Sequence, residues 1–259
     1  MPSAFALFAH PDDIEFVAAG TMLLLKSEGW DLHYMNLSHG DMGSVEGTPE
    51  SVSAQRKEEA KIACEVLGAH FHPSLSWDMQ ITYDVSLLRK LGAIIRDISP
   101  EILLTHATED YMEDHMCTAR LAVSAAFTKG MPLWQTAPSK PPIDQDIAVY
   151  HALPHGMRTP MGEETSPDFT IDISSVIEQK TAALACHASQ KLWLDRSQGM
   201  DSYLRSMQDM SAETSQKFHP KSSFAEGWRC HHYIGFSKTK ITPLQDSLKQ
   251  YLYTKENNA

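Results

Sequence analysis

The chain has 259 residues, 42% hydrophobic and 21% charged, with a formal net charge of −11. That balance describes an ordinary globular protein and argues against a nucleic-acid backbone or an anionic membrane as partner. Cys64, Cys117, Cys186 and Cys230 are far apart and form no C-x-x-C pair, which argues against a zinc ribbon or disulfide scaffold and for a reducing compartment.

In chain order, Ala4–Ala9 is a short apolar run that reads as a buried strand, and His10-Pro11-Asp12-Asp13 follows it directly. An apolar helical run covers Glu15–Ser27. Further strands are predicted at Asp31–Leu37, His70–Leu75 and Glu101–Thr105. Further helices are predicted at Val52–Leu67, Val85–Ile98 and Asp114–Phe127, with Gly29, Gly68 and Pro100 as stops. Strands alternating with helices imply a parallel sheet covered on both faces. Right-handed crossovers bring the strand C-terminal ends to one edge, where His10, His39 and His106 gather. A Pro-rich connector at 130–146 leads to a strand at Ile147–Ala152, and 154–170 reads as irregular. A helix at Ser174–Ala188, a polar Met- and Ser-rich stretch to about Ser215, a late strand at Trp228–Phe236 and a short helix at Pro243–Tyr253 complete the chain. No run of roughly 18 apolar residues is present, so no membrane span is expected. The first residues lack a basic leader, so a cytoplasmic protein is expected.

His10-Pro11-Asp12-Asp13 sits at a strand-to-helix junction, the place where open α/β sheets bind ligands. An Asp there is commonly a helix cap, and a His after a strand is commonly a plain loop residue. Three polar groups bunched at the end of the first strand are poorly explained that way. His10 and Asp13 can converge on one divalent ion, which leaves Asp12 free as a base. His115 shares a helix face with Ala119, Ala122 and Ala126, so its imidazole is expected over the sheet edge, where a third ligand is needed. The alternative for His115 is a surface histidine of the first turn. Two imidazoles and a carboxylate leave an open position, the pattern of a catalytic metal, which lowers the pKa of water and polarises a carbonyl. Asp12 can then take the proton and return it to a leaving amine. Asp114 reads as the helix cap, or as the acceptor that fixes a liganding imidazole; the cap is the stronger reading. Arg56, at the charged end of a face shared with Ala60, Ala63 and Leu67, reads equally as an ion-pair partner or a substrate anchor.

These residues resemble the PIG-L/LmbE family of metal-dependent N-acetylglucosaminyl deacetylases. The resemblance rests on Ala9-His10-Pro11-Asp12-Asp13 with Glu15, on Gly20-Thr21, and on Arg56-Lys57-Glu58-Glu59-Ala60 with Leu67-Gly68. It continues through Asp114-His115, Lys180-Thr181-Ala182-Ala183-Leu184 with His187-Ala188-Ser189-Gln190, and Phe224-Ala225-Glu226-Gly227-Trp228, over about residues 4–236. It implies His10, Asp13 and His115 as ligands of one divalent metal, Zn2+ first and Fe2+ as the alternative. It implies Asp12 as general base, and Arg56 and Asp78 as substrate-binding residues. The implied fold is α/β, a Rossmann-like parallel sheet with a smaller C-terminal α+β extension and no dinucleotide site. One domain over 1–259 is expected, with residues 1–130 as the metal-binding half and 131–259 completing the pocket.

The chain departs from the family at Met112. Many members carry H-P-D-H where this chain has Met112-Glu113-Asp114-His115, and methionine cannot donate a proton. Either Asp12 serves as both base and acid, or another donor fills in: His155 or Tyr111 by location, or one of His231 and His232. The leading reading is a deacetylase of N-acetylated amino sugars or their conjugates, acting on a small molecule. Alternatives are a non-catalytic metal- or carbohydrate-binding relative, and the same mechanism on a non-sugar amide or ester. A homo-oligomer stays open.

Overall fold

Alternation in the first strand fixes the architecture. In β1 (Ser3–Phe8), Ala4, Ala6 and Phe8 join one apolar core, while Phe5 and Leu7 join another on the opposite face. A strand buried on both faces belongs in the middle of a layered sheet. The computed structural model describes residues 1–197 and 203–254, and β1 is central in it. It is flanked by β2 (Asp31–Asn36) and β4 (Ile102–Thr105), with β3 (His70–His72) beyond β2 and β5 (Ala148–Ala152) beyond β4. Strands β6 (Phe169–Asp172), β7 (Ala225–Cys230) and β8 (Leu252–Tyr253) extend the same sheet, in the order β3-β2-β1-β4-β5-β7-β6-β8. The first five pair in parallel and the last three attach antiparallel. The C-terminal part therefore continues the sheet instead of standing beside it.

One face is covered by α1 (Asp13–Val17), α2 (Ala19–Ser27), α3 (Pro49–Leu67) and α6 (Ile177–Ala185). The other face is covered by α4 (Val85–Ile98) and α5 (Glu113–Phe127). The strand order reverses between β1 and β4, so a crevice opens beyond their C-terminal ends. Two further helices, α7 (Ala188–Ser197) and α8 (Tyr203–Phe218), lie C-terminal to α6, and α9 (Pro243–Ser247) is near the end.

Several elements differ from the sequence reading. The helix expected at Glu15–Ser27 starts at Asp13 and breaks at Ala18. The cause is Glu226, whose carboxylate accepts from Gly20 N (2.9 Å), Thr21 N (2.7 Å) and Thr21 Oγ1 (2.6 Å) and so satisfies a fresh helix N-terminus. The helix expected at Ser174–Ala188 is instead a short turn, then α6, then α7. The polar stretch to about Ser215 holds α7 and most of α8, with residues 198–202 outside the described residues. The late strand is Ala225–Cys230, not Trp228–Phe236, and the terminal helix gives way to β8. The four cysteines are free thiols. No helix among the described residues is long and apolar enough to cross a membrane.

Lys180 donates to Glu226 at 2.6 Å, and both side chains are buried. Three of the segments behind the family resemblance therefore meet in one buried knot that ties α2, α6 and β7 together. Lys180→Met keeps the volume but strands a carboxylate. It should cost about 3 kcal/mol, the low end for breaking a buried pair, because three donors stay with Glu226. Chemical denaturation would show this as a lower midpoint with the same slope.

Candidate metal centre

His10 begins the tight turn between β1 and α1, and Asp13 opens α1, where its Oδ2 accepts from the backbone N–H of His10 at 2.7 Å. His115 is in the first turn of α5 and crosses to the same point. His10 Nδ1 lies 3.4 Å from Asp13 Oδ2, and His115 Nε2 lies 3.4 Å from Asp13 Oδ1. The ligand atoms of the three residues all fall within 4.8 Å of one another. Ligands about 2.0–2.1 Å from a tetrahedral ion stand roughly 3.4 Å apart. The residues fit a divalent ion on an independent ground as well: His115 Nε2 is buried and has no hydrogen-bond partner.

The other ring nitrogens are held by carboxylates, which sets the ring orientation. His10 Nε2 is 3.1 Å from Asp114 Oδ2, which also accepts from Met79 N at 2.7 Å. His115 Nδ1 is 3.0 Å from Asp110 Oδ1. Asp114 is thus not the α5 cap that the sequence favours. The cap position falls on Met112, which leaves the Asp114 side chain free to turn to His10. His106, after β4, stacks on His115 with ring centroids 3.9 Å apart, and its Nε2 faces Asp13 Oδ2 at 3.2 Å.

Charge reinforces the arrangement. Burial lowers the pKa of His10, but hydrogen bonds to Asp114 and Asp13 outweigh it and hold it up at about 10. Burial likewise opposes the charge on His115, yet Asp13 and Asp110 hold it at about 9. Burial works against the Asp13 charge too, but His115 and His106 keep its carboxyl well below the usual range. Burial and the nearby His115 push His106 down to about 4. A dication entering here takes the place of protons on two imidazoles.

Asp12 points elsewhere. Its backbone has φ 108°, a region that costs a non-glycine residue about 1–3 kcal/mol. Arg56 supports the turn: its guanidinium donates to Pro11 O, to Gly40 O at 3.2 Å and to Asp12 Oδ1 at 3.4 Å. Gly40 is required there, since its φ is +72° and a Cβ would meet Arg56 Nη1 at 2.7 Å. The other Asp12 oxygen accepts from Tyr203 Oη of α8. Burial raises the Asp12 pKa, and the Arg56 charge offsets part of that rise. Tyr203→Phe removes one donor to this carboxylate and little volume. A hydrogen bond to a charged group is worth about 1.5–3 kcal/mol, so kcat should fall roughly tenfold or more with metal content unchanged. A loss confined to KM would contradict the placement.

These groups line a cavity of about 360 Å3, walled also by Phe16, Met42, Tyr111, Met112, His155, Gln190 and Trp193. Arg56 lines it as well, with its terminal nitrogens bonded to Pro11 O, Gly40 O and Asp12 Oδ1 and its Nε left without a partner. Asp78 lines it too. Its oxygens accept from Ser38 Oγ (2.6 Å), Gly40 N (2.8 Å) and Met42 N (2.9 Å), so it organises the 38–42 loop. Tyr111 and His155 stand at the same wall, with ring centroids 6.1 Å apart. His231 and His232 do not reach the cavity: His231 bonds His151 at 3.0 Å, and both line a different hollow beside Tyr150 and Phe236. That corrects the expectation that one of them can replace the missing proton donor.

Sequence reasoning does not find Tyr203 or Asp110, nor the part His106 plays beside Asp13. Tyr203 is detectable in principle, because Tyr203, Met207, Ser211, Thr214 and Phe218 form one buried face of α8. In the His187-Ala188-Ser189-Gln190 segment, Gln190 lines the cavity and the two polar residues before it pack inward. His187 Nε2 faces the buried Glu15 at 3.3 Å, and Ser189 N donates to Glu59 at 3.1 Å.

A family model described as "PIG-L: GlcNAc-PI de-N-acetylase" matches residues 5–126. A 4-oxalmesaconate hydratase from Pseudomonas putida is 32% identical, over 74% of this chain and 75% of its own length. A probable N-acetyl-alpha-D-glucosaminyl L-malate deacetylase 2 from Bacillus cereus is 29% identical, over 71% of this chain and 81% of its own. Among solved structures, the 4-carboxy-2-hydroxymuconate hydratase of Pseudomonas putida KT2440 superposes with a TM-score of 0.74 at 26% identity. It covers 93% of this chain and 98% of that one.

Proposed function

The chain belongs to the PIG-L/LmbE family, and from that premise we propose that it is a metal-dependent deacetylase of an N-acetylated amino sugar or its conjugate. The observation that carries this reading is the meeting of His10, Asp13 and His115 around an orphaned ring nitrogen, with a separate buried carboxylate, Asp12, beside them. His10, Asp13 and His115 would hold a divalent ion, Zn2+ in this reading, which would lower the pKa of a water and polarise an acetamide carbonyl. Asp12 takes the proton from the attacking water and passes it to the leaving amine. Its burial-raised pKa suits a group that must both accept and return a proton. Met112 supplies no proton; in this reading Asp12 performs both transfers, with Tyr111 and His155 at the cavity wall as the alternative donors. Arg56 and Tyr203 hold the Asp12 carboxylate in place.

The walls favour a neutral substrate. Asp12, Asp13, Asp78, Asp110 and Asp114 line the cavity, and Arg56 is the one Lys or Arg among the described lining residues. Phe16, Tyr111 and Trp193 offer apolar faces to a sugar ring.

A second reading is addition of water to a conjugated unsaturated carboxylate. Met112 favours it, because such a reaction expels no amine, and so does the 32% identity to a hydratase. Both readings are tested in one panel. Acetate release from N-acetylglucosamine conjugates supports the deacetylase. Loss of ultraviolet absorbance from unsaturated polycarboxylates, without acetate release from any sugar, selects the hydratase.

A further inference from the structure

At the start of β5, the end away from the catalytic crevice, the chain encloses a second hollow of about 290 Å3. It forms because β7 stops at Cys230, opposite Tyr150, and leaves the first residues of β5 without a strand on that side. The chain turns out and then returns. His231 N donates to Val149 O at 2.9 Å, and Ile147 N donates to Phe236 O at 3.1 Å, so both ends of the 231–236 turn are tied to the sheet. The walls are fixed from behind. Tyr150 Oη donates to Gln245 Oε1 at 2.7 Å, His231 Nδ1 lies 3.0 Å from His151 Nε2, and Phe236 packs on Phe127 with ring centroids 5.8 Å apart. A hollow built this way is present before any ligand arrives, as small-molecule sites usually are.

We propose that this hollow binds a small organic carboxylate with an apolar, ring-sized body, its charge at Lys240 and its body against Val149, Tyr150 and Phe236. The sign of the charge follows from the lining. No Asp or Glu lines this hollow, whereas five aspartates line the catalytic cavity. Its hydroxyls are already engaged: Ser237 Oγ donates to Thr239 O at 2.6 Å, and Thr242 Oγ1 donates to Asp246 Oδ2 at 3.0 Å. Lys240 is the one Lys or Arg among the described lining residues, and it makes no ion pair among the described residues. Its charge reaches the Cys230 end of the hollow. Burial pushes the Cys230 thiol up to about 11, and Lys240 acts against that rise.

The body follows from the walls. A neutral ligand would leave the ammonium unpaired, and a bare inorganic anion would leave the apolar walls in contact with water. A carboxylate on a hydrocarbon ring satisfies both. The volume lies at the low end for small-molecule sites, which suits one ring with a short acid group.

The test is calorimetric titration of the full chain with benzoate, against benzamide as a neutral control of the same shape. Benzoate should saturate at one site per chain, and benzamide should bind about fivefold more weakly because it lacks the charge. Lys240→Met keeps the apolar stem and should weaken benzoate about fivefold, the upper end for an ion pair near the surface, without changing benzamide. Lys240→Arg should keep the wild-type preference for benzoate. Lys240 is exposed, so neither substitution endangers the fold. Equal affinity of wild type and Lys240→Met for benzoate would place the ligand elsewhere, the catalytic cavity included, and overturn the proposal. Absence of benzoate uptake overturns it too. A protein that sediments as a dimer and takes up no benzoate assigns the hollow to a second copy of the chain, which also overturns it.

Discussion

Asp12→Asn should lower kcat by roughly 10²–10⁴ while leaving the metal bound, because the amide is nearly isosteric yet cannot accept a proton. Asp12 and Asp13 are adjacent, but their carboxylates have separate surroundings. Asp13 faces His10, His106 and His115, whereas Asp12 faces Arg56 and Tyr203. Removing the Asp12 charge therefore deprives the reaction of its base without removing a ligand. With methionine at position 112, the loss passes the upper end of the range if Asp12 makes both proton transfers. Parallel measurements of kcat and metal content separate the two roles. Activity within about threefold of wild type, with metal retained, would move the base elsewhere.

His115→Ala should abolish high-affinity metal binding and activity together, with the fold intact. Alanine suits a helix better than histidine does, so α5 loses no propensity. The change removes the orphaned Nε2 and leaves Asp13 and His10 alone to hold the ion. Replacing only an outer partner typically costs 10–100-fold in metal affinity, so loss of a ligand should exceed about 100-fold. Asp114→Ala supplies the graded comparison: it should weaken binding by about 10–100-fold, since it frees the His10 ring and leaves every ligand in place. Equal affinities for Asp114→Ala and wild type would return Asp114 to a purely structural role.

The site divides into parts that the sequence carries and parts that only packing creates. His10, Asp12 and Asp13 are legible because an apolar run stops abruptly at them, and His115 because the alanines four, seven and eleven residues on mark an inward face. The carboxylate partners are not legible. Whether Asp114 caps α5 or turns to His10 depends on where the helix begins, and helix starts are the least certain part of any sequence reading. Tyr203 escapes because the inward face of α8 is built largely from Met, Ser and Thr, so no apolar stripe stands out. The Glu226 knot escapes for a different reason. It joins residues more than 200 positions apart, and only the assembled sheet brings them together. The first five strands follow directly from alternation with helices. The antiparallel edge does not, because β6 and β8 are short and pair across long connections.

The most direct test of the metal-dependent deacetylase is acetate release from an N-acetylglucosamine conjugate by the chelator-treated protein, before and after metal is returned. The account predicts that release stops when the metal is removed and resumes on restoring Zn2+, in proportion to occupancy of the His10, Asp13 and His115 site. Acetate release that persists at its full rate in metal-free protein would contradict it.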